Sequence, residues 1–147
     1  WEAPSHKDPE TGAYGDGDPI DAIEIGDGPL AMGSIVPVKV LGSMELIDEG
    51  ETDHKIIVLR QGDKHFEQIN DMHDLEYYQP GVTAKLVDWL KNYKTSDGKP
   101  QNRLKHEEPT RPQEALRVIE EVSDFYKRLI NGDVEAPEGY YLPARKQ

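Results

Sequence analysis

Hydrophobic and polar positions alternate in the first half of the chain and recur at helical spacing in the second. Residues 1–19 are rich in Gly, Pro, Asp and Glu, lack periodicity and read as loop. Ile20 to Ile25 (IDAIEI) is a short β-branched run. In Ile35 to Val40, Val36, Val38 and Val40 share one face, while Pro37 demands an edge or a bulge. Gly42 offers a kink before Met44 to Asp48, and His54 to Arg60 (HKIIVLR) predicts another strand. From Val82 the period changes: Val82, Leu86, Trp89, Leu90 and Tyr93 predict a helix that starts after Gly81. A second helix is predicted by Thr110 and Gln113 at capping-box spacing, Pro112 in the first turn, the stripe Leu116, Ile119, Val122, Tyr126 and Leu129, and a stop at Asn131-Gly132. Thr95 to Pro109 reads as polar loop, and residues 134–147 as an extended or partly disordered tail. Strands followed by helices predict an α+β fold, with a small, mainly antiparallel sheet or barrel and two main helices outside.

Composition narrows the classes. The 147 residues suit one domain, and no apolar run reaches the roughly 18 residues of a membrane span. The opening WEAPSHKDPE has no Met, basic n-region or apolar h-region, so it is expected to be a cut or processed front and not a signal peptide. Without cysteine, thiolate metal sites and disulfides are excluded, and any metal must be held by oxygen or imidazole. Seventeen Lys and Arg against 29 Asp and Glu give a net charge of -12, which argues against nucleic acid and anionic membrane as partners.

Three stretches could carry chemistry. In YGDGDPID, Tyr14 to Asp21, the carboxylates Asp16, Asp18 and Asp21 stand where a loop enters a strand, a common place for hard-cation ligands. An EF-hand counted from Asp16 fails, with Ile20 at position 5, Asp21 at 6 and Asp27 at 12. Asp and Gly also form simple Asx turns, so a solvated turn stands beside the metal site as a reading. In LIDEGETDHK, Leu46 to Lys55, Asp48 leaves one strand, and Asp53 and Lys55 share a face of the next. An acid for metal beside a cation for an anion suits phosphoryl chemistry, and a charged hairpin with a surface ion pair is the bland alternative. In NYKTSDGKPQN, Asn92 to Asn102, Tyr93, Lys94 and Lys99 could hold phosphate oxygens, or serve only the apolar stripe and the helix C-terminus. The five histidines have no paired spacing and read as ordinary polar residues, and no GxSxG or P-loop occurs.

Together, YGDGDPIDAIEIG at 14–26, VKVLGSMELIDEGETDHKIIVL at 38–59 and YKTSDGKPQN at 93–102 resemble the family I soluble inorganic pyrophosphatases of the animal and fungal type. The resemblance implies Mg²⁺-dependent hydrolysis of inorganic diphosphate on a distorted OB-like barrel with helices outside, incomplete in this chain. Carried over by motif, Asp16, Asp21 and Asp53 match ligands of a first metal, with Asp21 bridging to a second, and Asp16 and Asp48 match ligands of a substrate-borne metal. Asp18 matches the carboxylate that deprotonates the attacking water, and Lys55, Tyr93 and Lys94 match the phosphate-holding groups. Mn²⁺ or another divalent cation is the expected substitute. The resemblance also implies a homodimer in the cytoplasm, with a mitochondrial form as the alternative. It implies one pyrophosphatase domain over 1–147 that lacks the family's N-terminal segment, itself a source of strands, metal-binding Glu and phosphate contacts. A non-catalytic acidic cation-binding or interaction module, a degenerate or truncated pyrophosphatase, is the competing expectation.

Overall fold

The structure, a computed structural model, describes residues 1–140 and 142; the rest of the expected tail lies outside the described residues. Among the described residues, five strands form one mixed sheet that does not close into a barrel: β1 (Tyr14–Gly15), β2 (Asp21–Glu24), β3 (Val38–Asp48), β4 (Glu51–Arg60) and β5 (Arg103–Leu104). The helices are α1 (Met72–Tyr78), α2 (Val82–Asn92) and α3 (Pro112–Asn131), with a single 3₁₀ turn at Thr95–Asp97.

The centre of the sheet is the β3–β4 hairpin, whose two-residue turn has positive φ at Glu49 (50°) and Gly50 (94°). Both central residues of a type I′ turn need that conformation, and its twist matches the strands it joins. The turn fixes the register through Asp48↔Glu51, Leu46↔Asp53, Glu45↔His54 and Met44↔Lys55. The kink expected at Gly42 is a bulge between Val40 and Gly42, where an added Cβ would lie 2.5 Å from the Thr110 carbonyl oxygen. The sheet is not purely antiparallel. β1 and β2 run parallel to β4 along the same edge, in register at Thr52 and from Lys55 to Val58.

One face of the hairpin presents Leu41, Met44, Leu46, Ile57 and Leu59, all nearly inaccessible, to Leu75 of α1 and Leu86 and Leu90 of α2. Burial of each such side chain contributes about 1.5–3 kcal/mol. α3 packs against β3, anchored where Thr110 Oγ1 accepts from the Ser43 N–H at 3.1 Å and meets Ser43 Oγ at 2.7 Å. Thr110 is thus engaged by the sheet, and the N-cap falls one residue later, on Arg111, whose backbone N–H donates to Glu114 Oε2 at 3.1 Å. Of the expected α3 stripe, Val122 and Leu129 are buried, whereas Leu116 and Tyr126 are exposed. α1 was not expected from the sequence; it begins at Asp71, whose side chain accepts from Asp74 N at 2.8 Å.

Candidate metal centre

Side chains alternate along β4, so the face that sends Ile57 and Leu59 into the core carries Lys55 and Asp53 at its open end. Asp48 ends β3 beside them, and Tyr93 and Lys94 follow directly on α2. Asp16, Asp18 and Asp21 come from the crossing between β1 and β2. The eight residues singled out in the sequence, Asp16, Asp18, Asp21, Asp48, Asp53, Lys55, Tyr93 and Lys94, line one open cleft of about 420 Å³. Lys99 is elsewhere, in an exposed pair with Glu49 at 3.0 Å.

Lys55 Nζ lies 2.6 Å from Asp53 and 2.6 Å from the largely exposed Asp21. Burial opposes its charge, but the two carboxylates outweigh that and hold it above the usual lysine range. Burial pushes the Asp53 carboxyl up, and Lys55 pulls against that shift. Lys94 is ion-paired to Asp48, which raises its pKa, while the other Asp48 oxygen, Oδ1, is buried without a hydrogen-bond partner. Tyr93 stacks on Trp89 with ring centroids 5.2 Å apart.

The tightest convergence of acids includes a residue the motifs did not indicate. Oxygens of Glu2, Asp16 and Asp53 lie within 4.8 Å of one another, with Glu2 and Asp53 buried. Glu2 is brought there by backbone pairing, since Glu2 N donates to Asp18 O at 3.0 Å and Gly17 N donates to Glu2 O at 2.9 Å. Gly15 permits the approach: a Cβ there would lie 2.6 Å from Ala3 O and 2.7 Å from Glu2 O. Asp16 Oδ1 accepts from Asp18 N at 2.8 Å, so the Asx turn and the site are the same structure. Burial, then Glu2, Asp53 and Asp18, raise Asp16 to about 6 despite that hydrogen bond. Two carboxylates about 5 Å apart repel by roughly 3 kcal/mol at an effective dielectric near 20. An all-oxygen cluster with two of its three acids buried, and an orphaned Asp48 oxygen in the cleft that Asp16 and Asp53 line, fits a hard cation such as Mg²⁺ or Mn²⁺, whose charge relieves that repulsion.

His54 is the second residue the sequence left aside. Its Nδ1 lies 2.6 Å from Glu2 and its Nε2 3.5 Å from Glu45. Burial opposes its protonation, but the two carboxylates prevail and push it up to about 9.

Comparison with known proteins agrees with the motifs. The sequence profile of the inorganic pyrophosphatase family matches residues 5–127. Inorganic pyrophosphatase 1 of Caenorhabditis elegans is 44% identical over 131 residues, 88% of this chain and 31% of that protein. The inorganic pyrophosphatase structure from Schistosoma japonicum superposes with a TM-score of 0.89 at 41% identity, over 94% of this chain and 49% of that one. An N-terminal domain truncated vacuolar soluble pyrophosphatase of Trypanosoma cruzi, in complex with PPi, superposes at a TM-score of 0.81 and 32% identity, over 88% and 50% of the two chains. The chain spans less than half the length of the curated relatives it matches.

Proposed function

The chain belongs to the inorganic pyrophosphatase family, and from that premise we propose that its protein hydrolyses inorganic diphosphate to two phosphates with Mg²⁺. The observation that carries the reading is the meeting of five aspartates, two lysines and a tyrosine in one cleft, from three separate stretches of chain. Glu2, Asp16, Asp21, Asp48 and Asp53 would hold the metal ions, which, when bound, acidify a shared water and neutralise diphosphate charge. Mn²⁺ is proposed as a substitute, since carboxylate oxygens also suit it.

The chain's own groups then divide the work. Asp18 lies in the cleft and, as general base, takes the proton of the attacking water. Lys55 and Lys94 are charged and each is paired with an acid of the cleft, so they can exchange a carboxylate partner for a phosphate oxygen and stabilise the departing phosphate. Tyr93 offers a phenol donor whose ring is fixed by Trp89. The truncated Trypanosoma cruzi relative, described as a PPi complex, supports diphosphate as the ligand of this cleft.

Phosphate release from diphosphate, with and without Mg²⁺, tests the activity. Asp18→Asn is expected to lower turnover by about 10²–10⁴-fold at saturating metal. Near-normal turnover in that variant would remove Asp18 as the base. One observation favours a second reading, a cation-binding module without turnover: among the described residues, the five strands leave the sheet open. Mg²⁺ uptake with no diphosphate cleavage would select it. A homodimer in the cytoplasm completes the proposal, checked by sedimentation and by imaging of the tagged protein. No described helix is long and apolar enough to cross a membrane.

A further inference from the structure

Along the edge that β4 shares with β1 and β2, the ladder is interrupted: β1 is in register at Thr52, and β2 takes over at Lys55. The His54 N–H falls in that gap and is taken by the Glu2 carboxylate, at 3.1 Å to one oxygen and 3.3 Å to the other. The ring of the same residue adds Nδ1 at 2.6 Å. Its far nitrogen, Nε2, faces Glu45, the residue directly across the β3–β4 ladder, at 3.5 Å. Glu45 is itself held, 3.2 Å from Lys105 Nζ, and Lys105 is anchored on Asp8 at 2.8 Å. An imidazole with both nitrogens engaged has its orientation fixed from two sides. A carboxylate offers about four lone-pair sites, so one gripped by His54 keeps sites free for a cation.

We infer that His54 is a positioning residue for the carboxylate cluster: braced by Glu45, it holds Glu2 with its remaining lone pairs available beside Asp16 and Asp53. This rests on the cluster taking a divalent cation, as proposed above. Loss of a residue that orients a metal-binding side chain from behind typically costs about 10–100-fold in metal affinity.

The test is a Mg²⁺ titration calorimetry series on the protein, with diphosphate cleavage followed in parallel. His54→Phe keeps the bulk of the ring and removes the donor, whereas His54→Asn places an amide nitrogen near the position of Nδ1. His54→Phe is expected to weaken Mg²⁺ binding about tenfold, and His54→Asn to restore it to within about twofold of wild type. Glu45→Gln, which leaves His54 in place but weakens its brace, is expected to fall between them. Unchanged affinity in His54→Phe, or equal loss in the Phe and Asn variants, overturns the inference, since a packing role would not be rescued by a smaller amide. Should His54→Phe fail to fold by circular dichroism, Glu45→Gln decides, and wild-type affinity there is fatal. If wild type binds Mg²⁺ but leaves diphosphate intact, the hydrolase reading falls and the binding series still decides this one. A wild type that binds no Mg²⁺ ends both.

Discussion

Lys55→Met removes the ammonium that lies 2.6 Å from both Asp21 and Asp53 while keeping most of the apolar stem. Asp21 is 64% exposed at its side chain, so its share of the loss is under about 1 kcal/mol. Asp53 is buried, and stripping the partner from a buried ion pair costs about 3–5 kcal/mol. Protonation sets a ceiling: neutralising a carboxyl of ordinary pKa 3.9 costs about 4 kcal/mol at pH 7 and about 1.5 kcal/mol at pH 5. In the variant the folded-state pKa of Asp53 stands further above its unfolded value. The penalty is therefore fully present at neutral pH and fades as pH falls toward 4. Urea unfolding of the metal-free protein is expected to show a loss of about 3 kcal/mol at pH 7 and no more than about 1.5 kcal/mol at pH 5. Mg²⁺ should recover part of the pH 7 loss by taking the place of the missing charge. A loss of the same size at both pH values would mean that Lys55 matters through packing, and no loss at either would mean that Asp53 is not stabilised by it.

Three further outcomes follow from the same geometry. Gly15→Ala forces a methyl group against the Glu2 and Ala3 carbonyl oxygens, which cannot rotate away; thermal unfolding should register a cost of about 1–3 kcal/mol, and an unshifted midpoint contradicts the contact. The same variant moves Glu2 off the cluster, so its Mg²⁺ affinity should fall with its stability. Because Asp16 titrates near 6, Mg²⁺ uptake should release about half a proton at pH 6 and almost none at pH 8, as read by calorimetry in buffers of different ionisation enthalpy; equal release at both would remove Asp16 from the ligand set.

The central hairpin and the helices α2 and α3 were legible in the sequence because their burial follows period two or period three to four, as Ile57 and Leu59 or Leu86 and Leu90 show. The direction of β2 was not, since a four-residue strand carries no mark of whether its neighbour runs parallel. The N-cap of α3 was misjudged because Thr110 bonds to Ser43, a tertiary demand that local spacing does not register. α1 has one buried residue, Leu75, too little for a stripe. In the cleft, the Asp and Lys positions could be read from short motifs whose spacing is local. Glu2 could not, because its approach depends on a backbone contact across Gly15. His54 had one available signal: with the turn at Glu49-Gly50 counted correctly, Glu45 falls directly opposite it, and an acid facing a histidine across a ladder is seldom idle.

The interrupted edge of β4 makes one amide unlike its neighbours. Where flanking strand amides face main-chain partners across the ladder, the His54 amide donates to the Glu2 side chain. Its exchange rate and its nitrogen chemical shift therefore report on a carboxylate, and a single cross-peak in a two-dimensional amide spectrum can follow metal arriving at the cluster.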